Sequence, residues 1–178
     1  MYIYYDIFTD EELCSDIYPM KVVDGVVLEL TGKYEIRKEG DIVLDGANPS
    51  AEEADEGVDE ASESGINIVL NHKLQEMPLY SDLKIFKEYI KEYMIKLAKK
   101  LKEDGASDEE VADFKKKMQT WVSALIKKDR FKNLQFFSGP GENACDGQLG
   151  ILEYREENGE EEKPIMMFVK PGLREEKC

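Results

Sequence analysis

The side chains that most often carry enzymatic chemistry are sparse in this sequence. His72 is the only histidine, and the three cysteines, Cys14, Cys145 and Cys178, lie far apart. Neither a Gly-x-Ser-x-Gly turn nor a phosphate-binding glycine loop occurs, and no base accompanies a nucleophile. The Gly-rich run 138–141 is expected to form only a turn. The sequence therefore predicts a protein that is not an enzyme, in which His72 packs or makes a structural hydrogen bond.

The cysteine spacing argues against a zinc site and against a disulfide framework. Structural zinc sites usually carry Cys-x-x-Cys pairs, and secreted disulfide proteins carry an even and denser set of cysteines. We expect Cys14 and Cys145 to be free thiols in a reducing compartment. Cys178 is the last residue of the sequence, where exposure is usual. Under oxidising conditions this thiol could join two copies of the chain.

Acidic side chains could supply oxygen ligands to a hard cation such as calcium. The alternating Asp-x-Asp-x-Asp-Gly loop of an EF-hand is absent, and Asp41 and Asp45 have the wrong spacing for it. Any calcium site is therefore expected to be weak and to depend on carboxylates that the fold brings together. Nonspecific binding of counterions would explain the same composition.

Charge and hydropathy exclude several classes of partner. The 178 residues include 39 acids and 24 bases, a net charge of −15, which would repel nucleic acid and anionic membranes. No apolar run reaches the ~18–20 residues of a membrane span. Residues 1–13 lack a basic segment, which predicts no signal peptide. We expect one soluble cytoplasmic domain over 1–178, with no nucleic-acid partner and no membrane span.

Short strands and turns dominate the first 44 residues. The hairpin signal VVDGVVLEL at 22–30 is the clearest, because Asp-Gly tolerates the positive φ of a tight turn. The segment 45–65 holds eight acids and neither Lys nor Arg. It cannot offset its ordering entropy by burial, so we expect a mobile loop there. The apolar run INIVL at 66–70 then predicts a buried strand.

A helical period begins at Ser81. Apolar residues recur on one stripe of each of two helices, Gly105 stands at a C-terminal cap, and Ser107 with Glu110 forms a capping box. The short connection predicts an antiparallel helical hairpin over about 81–128. Strand patterns return at 134–138, 148–155 and 164–170. The fold class is therefore α+β with small, mostly antiparallel sheets.

The helical hairpin is the basic part of an acidic protein. Residues 84–132 hold 14 basic and 9 acidic side chains, a net charge of +5, so the remainder carries −20. The excess on the second helix lies in Lys115, Lys116, Lys117, Lys127 and Lys128. Most lysines on a helix only solvate its outer face. A dipolar protein can nevertheless present its basic end to an acidic partner.

Two long stretches resemble the signatures of the translationally controlled tumour protein family. The first is GANPSAE at 46–52, and the second is FKNLQFF at 131–137 followed by DGQLGILEY at 146–154. Residues 1–18, residues 71–76 and the final Glu-Lys-Cys are similar to the family too. One departure is the turn after FKNLQFF, where Pro140-Gly141 puts an extra residue before Glu142.

The resemblance implies small β-sheets in a tent-like arrangement, a projecting helical hairpin and a long mobile loop. It also implies a non-enzymatic, cytoplasmic, calcium-binding protein that associates with tubulin and microtubules and has growth-promoting and anti-apoptotic roles. Family members also occur outside cells as histamine-releasing factors, and dimerisation through the terminal cysteine, here Cys178, is implicated there. The family's tubulin- and calcium-binding regions correspond to about residues 80–128.

The first functional hypothesis is therefore a microtubule-stabilising protein. Its contacts with acidic tubulin would be Lys115, Lys116, Lys117, Lys127 and Lys128. A net-positive hairpin is a poor calcium site, so calcium would use acids at the edges of the hairpin. These candidate ligands are Glu103, Asp104 and Asp108.

The second hypothesis, which the resemblance suggests, is regulation of nucleotide exchange on a Ras-like GTPase through Glu12. This acid is expected in the turn after the first strand, where it could compete with phosphate for the magnesium ion or the phosphate-loop lysine of the GTPase. An exposed turn acid without a function is the more ordinary explanation of Glu12. A chaperone-like or apoptosis-regulating interaction protein forms a third class, which rests on fold analogy alone.

Overall fold

The structure is a computed structural model that describes residues 1–38, 62–142, 146–156 and 159–178. The strands are β1 Tyr2–Asp6, β2 Glu12–Ser15, β3 Met20–Val23, β4 Val27–Thr31, β5 Tyr34–Lys38, β6 Ser62–Ile66, β7 Gln75–Glu76, β8 Gln135–Ser138, β9 Gly150–Arg155, β10 Lys163–Val169 and β11 Leu173–Lys177. The helices are α1 Asn67–His72, α2 Leu83–Glu103, α3 Asp108–Leu125 and α4 Lys128–Phe131, and short 3-10 turns cover Pro78–Ser81 and Lys170–Gly172.

The strands form three separate sheets. Six strands make the central sheet in the order β3-β4-β10-β9-β8-β7, three make a second sheet in the order β11-β1-β2, and β5 pairs with β6 as a two-stranded arm. Every pairing is antiparallel. The α+β class with small antiparallel sheets is thereby confirmed.

The central strand β10 is covered on both faces. Alternate residues of a strand point to opposite faces of its sheet. Ile165, Met167 and Val169 belong to a core that includes the helices α2 and α3. Met166 and Phe168 belong to a second core shared with β1, β2 and α1. The central sheet is therefore the middle layer of the fold, which explains why the run from Pro164 to Val169 is buried throughout.

The helical hairpin packs on the central sheet through a regular stripe. Phe86, Ile90, Tyr93 and Leu97 of α2 recur at helical spacing and are buried. The Asp82 side chain caps α2, and the predicted capping box between Ser107 and Glu110 is confirmed at the start of α3. Neither these helices nor the other described ones combine the length and apolar character that crossing a membrane requires.

Residues 67–70 lie in the helix α1, and only Ile66 lies in a strand, at the end of β6. The predicted strand over 66–70 is therefore wrong for all but its first residue. A short apolar run fits a strand or a helix equally well, and Asn67 decides between them. Its side-chain oxygen accepts hydrogen bonds from the backbone N–H groups of Lys33 and Ile68, each at 2.9 Å. The helix α1 then ends at Lys73, whose φ is +53°.

The predicted loop at 45–65 is too long at its C-terminal end. Its last residues belong to β6, which pairs with β5 in a register that runs from Lys38 opposite Ser62 to Tyr34 opposite Ile66. The rest of that predicted loop lies outside the described residues. Cys145 lies outside them too.

An ion-pair network joins α4 to the central sheet. Arg130 of α4 and Arg155 of β9 both bind the carboxylate of Glu153, at 2.7 Å each, and Arg155 also binds Glu29 of β4 at 2.7 Å. Burial raises the pKa of Glu153, but the hydrogen bonds from the two guanidinium groups outweigh it, so its pKa lies below the ordinary value. This network keeps charged groups paired at the edge of the helix-side core.

Two leucine truncations test the layered core. Leu97→Ala removes a side chain that is fully buried between α2 and the central sheet, so we expect it to lower the free energy of unfolding by about 2–5 kcal/mol. Leu79→Ala makes the same chemical change at a side chain that is 58% exposed and should stay within about 0.5 kcal/mol. Urea unfolding measures both, and equal losses would contradict the assignment of this core.

Candidate partner-binding groove

An open groove of about 590 Å³ runs between the two long helices. Its apolar lining comes from Ile90, Met94 and Ile95 of α2, from Val122 of α3 and from Ile126 directly after α3. Ile95 is 60% exposed, so the core does not use its side chain. The groove is therefore an apolar surface that the packing of the hairpin leaves uncovered.

Lysines surround this apolar surface. Lys87, Lys91 and Lys115 line the groove. A second cavity of about 440 Å³ shares Ile95 and Lys115 with it and adds Lys99 and Lys102 toward the connection between the helices. We call the two cavities together the α2–α3 groove. Asp108 is the acidic residue that lines it, and it lies 3.1 Å from Lys102.

Four of these lysines have no ion-pair partner among the described residues: Lys87, Lys91, Lys99 and Lys115. Lys87, Lys91, Ile95 and Lys99 follow one another at four-residue spacing, so they share one face of α2. Like charges at this spacing repel one another. An anionic group bound in the groove would relieve that repulsion, and the apolar lining would add to its affinity.

The structure separates the five lysines that the sequence singles out. Successive residues of a helix point about 100° apart, so Lys115, Lys116 and Lys117 cannot share a face. Lys115 lines the groove, whereas Lys117 binds Asp113 at 2.8 Å and faces the β3–β4 turn. Lys116 is exposed outside the groove. Lys127 and Lys128 are exposed at the start of α4.

Sequence reasoning missed the lysines that α2 contributes to the groove. The first helix of the hairpin carries these residues, which are Lys87, Lys91, Lys99 and Lys102. The prediction relied instead on the run of three lysines on the second helix. The signal that would find them is the four-residue spacing of lysines around Ile95, an apolar residue outside the buried stripe.

The candidate calcium ligands do not form a metal-binding group. Asp104 lies 3.5 Å from Lys100, Asp108 lies 3.1 Å from Lys102, and Glu103 is exposed. Across the described part of the chain, no three His, Cys, Asp or Glu residues are placed to hold a metal ion. Calcium binding stays a prediction, and these three acids do not supply a preformed site for it.

Glu12 is bonded to the only histidine. It is the first residue of β2 rather than part of a turn, and its Oε2 lies 2.7 Å from Nδ1 of His72. The other ring nitrogen of His72 lies 3.0 Å from the Tyr18 hydroxyl, which also accepts a hydrogen bond from Asn71 at 2.8 Å. His72 therefore makes the structural hydrogen bonds expected of it. Contact between Glu12 and a GTPase would have to compete with His72, and that contact stays a prediction.

A second acid, Asp6, is buried at the junction of the two larger sheets. Its carboxylate accepts hydrogen bonds from the backbone N–H groups of Phe8 at 2.8 Å and Gln148 at 2.7 Å. Burial raises its pKa despite these bonds. Next to it, Glu11 packs so closely against Gly139 and Gly141 that a Cβ on either glycine would overlap its carboxylate. The turn with the extra residue therefore requires glycine because Glu11 fills the space beside it.

The two described cysteines differ in exposure. Cys14 is completely buried, and burial raises the pKa of its thiol, so it is not a reactive thiolate. Cys178 is free and exposed, and its backbone N–H donates to the carbonyl of Met1 at 2.9 Å. Access to Cys178 is thus open, and the disulfide-linked dimer stays a prediction.

The fold and the groove define a class of protein, an α+β protein that presents a basic helical hairpin on an acidic body. The chain belongs to the translationally controlled tumour protein family, because the sequence model with that description matches residues 1–174. It is 61% identical to the translationally-controlled tumor protein homolog of Trichinella pseudospiralis, over the full length of both chains. It is 53% identical to the homolog of Caenorhabditis elegans, again over both full lengths.

Solved structures agree with this assignment. The solution NMR structure of the Caenorhabditis elegans protein matches with a TM-score of 0.76 at 52% identity, covering 100% of this chain and 99% of that one. The translationally controlled tumor-associated protein of Schizosaccharomyces pombe matches with a TM-score of 0.76 at 34% identity, covering all of both chains. The family expected from the two signatures is confirmed.

Truncation of Glu12 tests whether it has a structural role. Glu12→Ala leaves Nδ1 of the buried His72 without its partner, so we expect the free energy of unfolding to fall by about 1–3 kcal/mol. Glu88→Ala, at an exposed acid of α2, should change it by less than about 0.5 kcal/mol. Urea unfolding at neutral pH measures both. A Glu12 variant as stable as the Glu88 control would show that the bond to His72 contributes nothing.

The buried acids Asp6 and Glu153 should give opposite pH dependences. The raised pKa of Asp6 means that the folded protein holds this proton more tightly than the unfolded chain does. Its contribution to stability is therefore present below the ordinary value of 3.8 and is lost as the pH rises through the raised value. The lowered pKa of Glu153 means that the folded protein holds this proton less tightly than the unfolded chain does. Its contribution to stability is therefore present above the ordinary value of 4.5 and is lost as the pH falls through the lowered value.

Urea unfolding across the acidic pH range measures this difference. The stability of Asp6→Asn relative to the wild type should rise as the pH increases above 3.8, since the variant has no charge to bury. The stability of Glu153→Gln relative to the wild type should fall as the pH increases toward 4.5. Slopes of the same sign for the two variants would contradict these environments.

Proposed function

We propose that this protein is a cytoplasmic binding protein, not an enzyme, and that it binds the acidic surface of tubulin in microtubules through the α2–α3 groove. The observation that carries the proposal is the set of four lysines around an apolar lining that have no ion-pair partner in the described residues. A solvated outer face of a helix would explain lysines, but here they border a concave surface whose lining includes Met94, Ile95 and Val122.

The distribution of charge supports one orientation of binding. A protein with a net charge of −15 is repelled by an acidic partner over most of its surface. Residues 84–132 carry +5, so only the hairpin can approach. Electrostatic complementarity of this kind sets orientation and association rate, and salt screens it. The apolar lining of the groove would supply contact area that screening does not remove.

Membership in the family supports the choice of tubulin as the partner. The resemblance implies that family members associate with microtubules through the region corresponding to residues 80–128, and the α2–α3 groove lies within that region. The proposed contacts are Lys115, which the sequence also singles out, and Lys87, Lys91, Lys99 and Lys102, which line the same groove. Among the described residues, the candidate calcium ligands form no metal-binding group, and Glu12 is hydrogen-bonded to His72.

A charge reversal inside and outside the groove tests the proposal. The groove variant is Lys91→Glu with Lys115→Glu, and the matched control is Lys116→Glu with Lys128→Glu. Both change the net charge equally, and all four lysines are exposed. Microtubule co-sedimentation over a salt series should show binding weakened at least about tenfold in the groove variant. The control should keep most of the affinity.

Two outcomes would contradict the proposal. Equal losses in the two variants would mean that net charge alone governs binding and that the groove is not the site. Failure of the wild-type protein to pellet with microtubules, even at low salt, would remove direct tubulin binding.

A further inference from the structure

A second groove, of about 680 Å³, lies where the two-stranded arm meets the central sheet. The arm contributes Tyr34 from β5, and the central sheet contributes Tyr154 from β9 and Pro164 from β10. Tyr154 and Pro164 are direct partners across the strand pair. We call this site the Tyr34–Tyr154 groove, and it shares no residue with the α2–α3 groove.

Backbone hydrogen bonds hold the groove in shape. The N–H of Gly32 donates to the carbonyl of Pro164 at 2.9 Å, and the N–H of Thr31 donates to the carbonyl of Pro19 at 2.8 Å. The first bond ties the segment leading into the arm to the central sheet. The two tyrosines and Pro164 of the groove lie on strands, whereas Ile17, Glu161 and Glu162 lie on the segments that connect strands.

Large exposed apolar side chains are concentrated there. Tyr34 is 62% exposed, Ile17 is 58% exposed and Tyr154 is 45% exposed, and all three line this groove. Single exposed apolar residues are ordinary, but several in one concavity mark a binding site. Tyrosines are enriched in binding surfaces because they offer a rigid apolar ring and a polar hydroxyl.

The charges at the groove favour a cationic ligand. Its lysines already have carboxylate partners, since Lys33 lies 3.9 Å from Glu35 and Lys163 lies 3.1 Å from Glu160. Glu161 and Glu162 also line the groove and have no ion pair within the described residues. The rest of the acidic body adds to the attraction of a basic group and repels an acidic one, including a second copy of this chain.

We infer that the Tyr34–Tyr154 groove binds an extended, proline-containing segment of another protein that carries a basic residue. Grooves lined by aromatic side chains, as Tyr34 and Tyr154 line this one, are surfaces on which polyproline II segments dock, and such a segment is already extended before it binds. A basic residue next to the prolines would pair with Glu161 or Glu162. The same two glutamates repel nucleic acid and acidic helices.

The binding test uses the full isotope-labelled chain and a synthetic peptide of about eight residues with the pattern Pro-x-x-Pro-x-Arg. Titration followed by NMR should shift the amides around Gly32, Tyr34 and Tyr154 in a saturable way. Tyr34→Ala should weaken binding at least about tenfold. Because the Tyr34 side chain is exposed, the variant should unfold at the same urea concentration as the wild type, which separates lost binding from lost folding. Tyr2→Ala, at a tyrosine outside the groove, should leave the affinity unchanged.

Two altered peptides and one altered protein complete the test. Replacing the prolines of the peptide by alanine should remove binding, and replacing its arginine by glutamine should weaken it. Glu161→Gln with Glu162→Gln should weaken binding of the arginine peptide but not of the glutamine peptide. Absence of saturable shifts, equal binding of the alanine peptide, or concentration-dependent shifts at the groove without any peptide would overturn the inference.

Discussion

Burial of the central sheet on both faces is the constraint on which the rest of the structure depends. Ile165, Met167 and Val169 require an apolar layer on one side, and Met166 and Phe168 require another on the opposite side. The helical hairpin supplies the first layer through one stripe of each helix. The second sheet and α1 supply the other. Each outer element buries its most apolar face against this sheet. The side chains on its opposite face are available to bind partners.

The two candidate binding surfaces follow from that arrangement. The hairpin turns Phe86, Ile90 and Leu97 toward the core, so the lysines and Ile95 of α2 lie along the gap between the helices. The two-stranded arm contributes Ile66 to the second core but leaves Tyr34 exposed. The buried Gln148 side chain bonds both the N–H and the carbonyl of Val169, at 2.7 Å and 3.0 Å. Among the described residues, the buried Tyr93 hydroxyl has no hydrogen-bond partner.

Local sequence patterns predict correctly those turns and helix ends that depend on interactions between neighbouring residues. The Asp24-Gly25 turn has the positive φ values that its residues predict, and Ser107 with Glu110 forms the capping box. The predicted strand at INIVL was wrong because an apolar run of five residues is too short for its periodicity to distinguish a strand from a helix. The bond between Glu12 and His72 joins residues that lie 60 positions apart, and the groove combines faces of two helices. No local pattern reports that hydrogen bond. The lysines of α2 are visible in the sequence as a four-residue spacing, but only the packing of the two helices shows that they share a groove with Lys115.

Hydrogen–deuterium exchange of the full chain, with and without microtubules, tests the central claim most directly, because it locates the contact without any mutation. The account predicts added protection within α2 and α3, at the segments around Lys87–Ile95 and Lys115–Ile126, and little change in β5 or in the second sheet. Protection confined to the acidic sheets or to α4, with the two long helices unchanged, would contradict it.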